Sequence, residues 1–224
     1  MTTVPAQSPP SGPTVLVIAK EPVPGRVKTR LTPPFTPQEA ADLAAAALAD
    51  TLDVVAALPV RRRVLVLDGR PGPWVPEGFD VRPQAPGTLD ERIADAFAGC
   101  DGPTLLLGMD TPQVTPQHLA PVLAADGWAS HDAWLGAAAD GGFWCLALEQ
   151  PDPGLVRGVP MSTPRTGAEQ RARLRAAGLR VGALPVLRDV DVAEDAAAVA
   201  VRSAALGGRR FSATHAAVRR AGVR

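Results

Sequence analysis

Lysine is almost absent from this sequence, which takes nearly all of its positive charge from arginine. Its only two lysines, Lys20 and Lys28, both lie in the segment VLVIAKEPVPGRVKTRL at residues 15–31. The segment joins an apolar run to a basic loop that contains a glycine, which predicts a buried first strand with cations at its end. Because a lone basic loop after a strand is typically a solvated turn, its interpretation as a binding site needs further support.

Cysteine, long apolar runs and net charge are also lacking. Cys100 and Cys145 form no C-x-x-C motif and have no clustered histidines, which argues against structural zinc and fits a reducing compartment. No apolar run approaches the roughly 20 residues of a membrane helix. The formal net charge is zero, so the overall balance favours neither nucleic acid nor an anionic membrane as a partner. We therefore expect a cytoplasmic protein.

The length and composition predict one domain. With 224 residues and 46% hydrophobic content, the chain can bury one sizeable core. Residues 1–12 are rich in proline, serine and threonine and predict a disordered leader. We expect the single domain to span residues 13–206. Residues 207–224 predict a basic C-terminal tail, either a short helix or, as the preferred interpretation, a solvated terminus.

Strand patterns and helix patterns alternate along the chain. Capping boxes that start at Thr36 and Thr88 predict the beginnings of two helices. The further helices are predicted from near residues 115, 166 and 193, and the later strands at residues 64–67, 79–82, 104–108, 133–138, 142–148 and 179–187. This alternation predicts an α/β three-layer sandwich, Rossmann-like, with a mainly parallel twisted sheet.

The loop after the first strand is a candidate phosphate site. Its glycine turn can present backbone amides, and Arg26, Lys28 and Arg30 can bind a polyphosphate. The spacing is not that of a Walker A motif. Lys20, at the strand end, either joins this site or anchors the loop. The expected nucleotide-binding residues are Ala19, Lys20, Gly25, Arg26, Lys28, Thr29 and Arg30.

Three aspartates follow predicted buried strands, where open α/β sheets bind ligands. Asp110 follows one strand, and Asp189 and Asp191 follow the last. A divalent ion that bridges phosphates commonly takes one or two protein carboxylates, which suits Mg²⁺ or Mn²⁺ here. Each aspartate could instead cap a turn or a helix. Taken together with the basic loop, the three favour a metal–nucleotide site.

Two further loops are candidate acceptor sites. Gly141 and Gly142 would let a ligand approach the backbone while Asp140 binds hydroxyls, although a tight hairpin turn explains the same residues almost as well. Ser162 and Thr163 lie in a polar loop that could close over an acceptor. A helix-capping connection is an equally good explanation of that loop.

The segments AKEPVPGRVKTRL, LLLGMDTP, ADGGFW and RDVDVAEDAAAV resemble an uncharacterised bacterial family of glycosyltransferase-A-type transferases. The plan is also similar to the molybdenum-cofactor and 2-phospholactate guanylyltransferases. The resemblance covers residues 15–206 and implies a nucleotide-diphospho-sugar transferase fold. It implies phosphate contacts from Lys28 and Arg30 and a metal on Asp110, completed by Asp189 or Asp191. The D-x-D motif of many such glycosyltransferases is absent after Asp110.

Two reactions follow from these features. In nucleotidyl transfer, an acceptor phosphate or hydroxyl attacks the α-phosphate of a nucleoside triphosphate, and Arg26 and Lys28 act as catalytic cations. In glycosyl transfer, a nucleotide sugar is the donor, and Asp140 contacts the sugar or deprotonates the acceptor. The density of cations and the missing D-x-D favour nucleotidyl transfer. A non-catalytic nucleotide-binding domain and either a monomer or a homodimer remain open alternatives.

Overall fold

A computed structural model describes residues 12–206 and 209–221. Its strands are β1 (Thr14–Lys20), β2 (Arg62–Asp68), β3 (Asp80–Pro83), β4 (Thr104–Gly108), β5 (Ala133–Ala138), β6 (Phe143–Leu148) and β7 (Val181–Leu187). Its helices are α1 (Pro37–Ala57), α2 (Leu89–Ala98), α3 (Pro116–Leu123), α4 (Thr166–Ala176), α5 (Ala193–Ala205) and α6 (Arg210–Ala221), with short 3-10 helices at Thr29–Leu31 and Pro153–Leu155. Of these helices, none combines the length and the apolar character needed to cross a membrane.

The seven strands form one sheet in the order β3-β2-β1-β4-β6-β5-β7. Strand β6 runs antiparallel to both of its neighbours, and the remaining pairs are parallel. The carboxyl ends of β1, β2, β4, β5 and β7 therefore lie along one edge of the sheet. The predicted α/β class with a mainly parallel sheet is confirmed.

Apolar side chains cover both faces of the sheet, which produces the three layers. In β1, Val15 and Val17 pack in one buried cluster with α1 and α3, while Leu16 packs in another with α2 and α4. Because both faces are buried, the sequences of the parallel strands are continuous apolar runs and do not alternate between apolar and polar residues.

Capping boxes fix where α1 and α2 begin. The Thr36 N–H donates to the Glu39 carboxylate at 2.7 Å, and the Glu39 N–H donates back to the Thr36 hydroxyl at 3.2 Å. The Thr88 N–H donates to the Glu91 carboxylate at 2.8 Å. These bonds satisfy amides that the first helical turn leaves free. They also fix the residues at which the two preceding loops end and these helices begin.

Residues 210–221 form helix α6, so the preferred expectation of a solvated terminus is wrong for this segment. Among several arginines, one apolar residue, Phe211, is fully buried where α6 packs against α1 and α5. Burial of this aromatic ring stabilises a helix that the charge pattern alone did not favour. The predicted leader lies outside the described residues except for Gly12, as do residues 207–208 and 222–224 of the tail.

Candidate active site

A pocket of about 820 Å³ opens at the edge of the sheet where the parallel strands end. It is lined by the following residues that the sequence predicted for the site: Ala19, Lys20, Arg26, Lys28, Thr29, Arg30, Asp110, Asp140, Gly142, Ser162, Thr163, Asp189 and Asp191. Two other predicted residues, Gly25 and Gly141, are not part of this lining. The topology thus collects five loops that are far apart in the sequence.

Lys28 lies between two of the aspartates. Its Nζ atom is 2.7 Å from Asp110 Oδ1 and 3.3 Å from Asp191 Oδ1, and only 9% of the side chain is exposed. Burial alone would lower the pKa of Lys28, but the two carboxylates outweigh burial and raise the pKa above its usual value. Lys28 is therefore a fixed positive charge within the pocket.

Two buried side chains anchor the loop that carries Lys28. Val27 and Leu31 are 7% and 0% exposed, so the loop is fastened on both sides of the lysine. Lys28 itself has a φ of 49°, in the left-handed region. The amide N–H groups of Val27 and Lys28 donate to no other described residue. Successive amides around a left-handed residue can form a concave anion site.

The two loop arginines are less constrained than Lys28. The Arg30 side chain is 73% exposed, and its Nη1 lies 3.4 Å from Asp191 Oδ2. Arg26 is exposed and also lines the pocket. An exposed ion pair of this length contributes little to stability. These side chains can therefore turn toward a bound anion without breaking the fold.

Asp189 lies in a strongly negative surrounding. The Val190 N–H donates to the carbonyl of Asp110 at 3.0 Å, which ties the end of β4 to the segment after β7. Asp189 Oδ1 is buried and has no hydrogen-bond partner among the described residues. Burial, together with the charges of Asp110 and Asp140, raises the pKa of Asp189 to about 7. The carboxylates thus lack sufficient compensating positive charge.

This arrangement fits a divalent cation bound by few protein ligands. Within residues 12–206 and 209–221, no group of three or more His, Cys, Asp or Glu side chains is arranged to hold a metal ion. Asp110 and Asp189 line the same pocket, and Asp189 has the unpartnered buried oxygen. Magnesium commonly takes one or two carboxylates and completes its shell with phosphates and water. Asp191, already paired with Lys28 and Arg30, fits this role less well.

The turn after β5 contributes Asp140 and Gly142 to the pocket. Its acid, Asp140, accepts a hydrogen bond from the Gly142 N–H at 2.9 Å. Gly141 has a φ of 93°, and its carbonyl accepts from the Gly167 N–H at 2.8 Å. A side chain at Gly141 would collide with the backbone of Pro164. Gly141 therefore fixes the neighbouring loop instead of lining the pocket.

Ser162 shares an unusual backbone conformation with Lys28. The two have φ angles of 57° and 49°, and they are the only non-glycine residues of the described chain with a positive φ. Both line the pocket. Left-handed backbone in non-glycine residues costs energy and clusters at binding sites. This strain supports the interpretation of the Ser162 loop as part of the site.

Sequence reasoning missed two polar residues that support the pocket. Gln84 follows β3, and its amide nitrogen donates to the carbonyls of Ala19 at 2.7 Å and Val66 at 3.2 Å. The Arg92 guanidinium donates to Gln84 Oε1 at 3.3 Å and to Asp68 at 3.1 Å. The strand-end rule could have selected Gln84, whereas nothing local distinguished Arg92. Several apolar lining residues were also missed, among them Leu89, Ile93 and Leu106.

A protein-family model matches residues 35–163, which is more than half of the chain. The family is described as "Uncharacterized protein conserved in bacteria (DUF2064)". None of the curated proteins matches the chain.

Several solved structures are similar to the chain. A candidate nucleotide-diphospho-sugar transferase from Desulfovibrio desulfuricans G20 shares 25% identity, with a TM-score of 0.78 over 92% of this chain and 94% of that one. A CMP:2-keto-3-deoxy-manno-octonic acid synthetase complexed with CTP shares 12% identity, with a TM-score of 0.54 over 88% and 99%. Rv0371c from Mycobacterium tuberculosis H37Rv, in complex with manganese, shares 20% identity, with a TM-score of 0.50 over 84% and 98%. The last two likenesses establish the fold alone.

Proposed function

We propose that this chain, which belongs to the bacterial DUF2064 family, transfers a nucleoside monophosphate from a nucleoside triphosphate to a small acceptor and releases pyrophosphate. The acceptor is a small phosphorylated or hydroxylated molecule. The observation that carries the proposal is the position of Lys28 between Asp110 and Asp191, inside a pocket that other cations and acids also line. In a triphosphate with a divalent cation, the negative phosphates can pair with the basic side chains and the metal ion can pair with the carboxylates.

The loop with Lys28 would bind the phosphates. The free amides of Val27 and Lys28 would receive phosphate oxygens, and the exposed arginines Arg26 and Arg30 would turn toward them. Positioning and charge neutralisation are the main requirements of phosphoryl-type transfer. The CTP complex of a protein with this fold supports a triphosphate as the ligand.

Asp110 and Asp189 would hold Mg²⁺ or Mn²⁺. When bound, such an ion supplies charge neutralisation at the phosphate oxygens. Lys28 would then leave Asp110 and contact a phosphate oxygen. Asp110 would stay neutralised, because the metal ion replaces Lys28 as its partner. The manganese complex of Rv0371c supports a divalent metal in this fold.

The acceptor would lie near Asp140, Ser162 and Thr163. An acceptor oxygen would form a bond to the α-phosphorus while the bond from that phosphorus to the β-bridging oxygen breaks, and pyrophosphate would leave. An ionised phosphate acceptor needs no base. A hydroxyl acceptor must lose a proton, which Asp140 would accept.

Glycosyl transfer is the second candidate. The Desulfovibrio desulfuricans protein, at 25% identity, is described as a candidate nucleotide-diphospho-sugar transferase. In that reaction the phosphate loop would bind the leaving nucleoside diphosphate, and Asp140 would contact the sugar or the acceptor.

A product assay separates the two reactions. The chain is incubated with Mg²⁺, a panel of small phosphorylated and hydroxylated acceptors, and either nucleoside triphosphates or nucleotide sugars. Pyrophosphate and nucleoside diphosphate are then measured separately. Pyrophosphate from a triphosphate supports the proposal. Nucleoside diphosphate from a nucleotide sugar, with no reaction of any triphosphate, overturns it.

A further inference from the structure

Helix α6 and the residue before it pack with segments that carry the candidate site. The Arg209 guanidinium donates to the carbonyl of Pro112 at 3.2 Å, two residues after Asp110. The fully buried ring of Phe211 lies in the same apolar cluster as Leu31 and Val190. The segment 209–221 therefore contacts the loop after β4 directly and shares one apolar cluster with residues of the other two parts of the phosphate and metal region.

The cluster with Phe211 is directly continuous with the charged residues of the pocket. Leu31 follows Arg30, and Val190 lies between Asp189 and Asp191. A second contact comes from His215, whose ring packs edge to face on Phe35 with 6.0 Å between ring centroids. Phe35 closes the loop that carries Lys28, just before α1. The loop therefore contacts α6 at Phe35, and Leu31 belongs to the same buried cluster as Phe211.

A buried carboxylate fixes the position of α6 along its own axis. Asp50, on α1, is only 3% exposed, and its two oxygens accept the backbone N–H groups of Arg210 and Phe211, each at 3.0 Å. Arg210 also pairs with Asp53 at 3.1 Å. These bonds cap the first turn of α6. They determine where Phe211 enters the cluster.

We infer that α6 is a positioning element of the candidate site, with Phe211 as the residue that holds the Lys28 loop against the segment of Asp189 and Asp191. Apart from one 3-10 turn, the chain between β1 and α1 has no regular structure of its own. Side chains on such loops keep a fixed geometry only when a packed layer supports them. Phe211 supplies that layer and is not among the residues that line the pocket.

A matched pair of substitutions separates positioning from general stability. Phe211→Ala removes the proposed support. Phe97→Ala removes an equally buried phenylalanine from the cluster on the opposite face of the sheet. Should either alanine variant fail to fold, Phe211→Leu and Phe97→Leu replace the pair. Hydrogen exchange of residues 26–35 is measured in the free protein, together with the affinity for inorganic triphosphate in the presence of Mg²⁺.

In Phe211→Ala, we expect exchange of the hydrogen-bonded amides within residues 26–35 to accelerate by about tenfold or more, because the loop opens locally. These are the amides of Arg26, Leu31, Thr32 and Phe35. Triphosphate affinity should fall by about tenfold, the equivalent of 1.4 kcal/mol. Phe97→Ala should leave both quantities within about twofold of wild type. Unchanged exchange in Phe211→Ala, or equal acceleration in both variants, overturns the inference. The exchange measurement needs no ligand, so it decides the inference even if wild type binds no triphosphate and the proposed function fails.

Discussion

The ammonium nitrogen of Lys28 lies 2.7 Å from a carboxylate oxygen of Asp110, although 81 residues separate the two in the sequence. The contact exists because β1 and β4 are parallel neighbours that end at the same edge. In the free protein, the ammonium group of Lys28 neutralises Asp110. In the proposed complex, the metal ion would neutralise Asp110 instead.

Replacing Lys28 should therefore have opposite effects on metal and on phosphate. In Lys28→Met, Asp110 loses its partner, so we expect Mn²⁺ alone to bind more tightly by about tenfold, while inorganic triphosphate binds more weakly by a similar factor. Calorimetric titration measures both affinities. The exposed variant Arg220→Met makes the same change in net charge and should alter neither. Weaker Mn²⁺ binding in Lys28→Met would argue against Asp110 as a metal ligand.

Asparagine substitutions should distinguish the two late aspartates. Asp189→Asn removes an oxygen that is buried and unpartnered in the described chain, so we expect Mn²⁺ affinity to fall by about tenfold or more. Asp191→Asn removes a partner of Lys28 and Arg30 and should change Mn²⁺ affinity much less. Paramagnetic resonance of Mn²⁺ provides the measurement. The reverse order of effects would assign the metal to Asp191.

The raised pKa of Asp189 predicts a pH-dependent stability. In the unfolded chain this carboxyl has its ordinary pKa of 3.8, whereas the folded pKa is about 7. Between these values the unfolded chain binds fewer protons at this carboxyl, so the Asp189 contribution to the free energy of unfolding should fall as pH rises from about 4 to about 7. Urea unfolding in the presence of a chelator measures the slope.

Asp189→Asn cannot titrate, so this variant should lose the Asp189 part of that slope. Glu77→Gln, at an exposed position, serves as the control and should keep the wild-type slope. Parallel slopes for wild type and Asp189→Asn would contradict the raised pKa.

Two glycines test the structural role of the turn after β5. Gly141 and Gly102 have positive φ angles of 93° and 69°, but only a side chain at Gly141 meets the backbone of Pro164. Gly102→Ala should cost about 1–2 kcal/mol of unfolding free energy from backbone strain alone. Gly141→Ala should cost clearly more, because the clash adds to the strain. Equal losses in urea unfolding would show that the contact with Pro164 can relax without cost.

Local patterns predicted most of the fold. Strands β4 and β5 have the bounds that their apolar runs and flanking turns indicated, at residues 104–108 and 133–138. The exception was α6, where one buried phenylalanine outweighs a basic surface. Its burial depends on α1 and α5, and no pattern within residues 207–224 records that contact.

The site was less fully predictable because it depends on strand order. The rule that ligands bind at strand ends selected Lys28, Asp110 and Asp189, but it could not pair Lys28 with Asp110 at a stated distance. Arg92 was missed because its role comes from hydrogen bonds to Gln84 and Asp68, which lie on other elements. The assignment of these residues to nucleotide, metal and acceptor remains a prediction.

The most direct measurement is the binding of nucleoside triphosphates to wild type and to Asp110→Asn, each with and without Mg²⁺. We expect Mg²⁺ to strengthen binding to wild type by about tenfold or more, and Asp110→Asn to abolish this gain while circular dichroism shows an intact fold. Triphosphate binding that is indifferent to Mg²⁺, or a gain that survives in Asp110→Asn, would contradict a metal–nucleotide site built around Lys28 and Asp110.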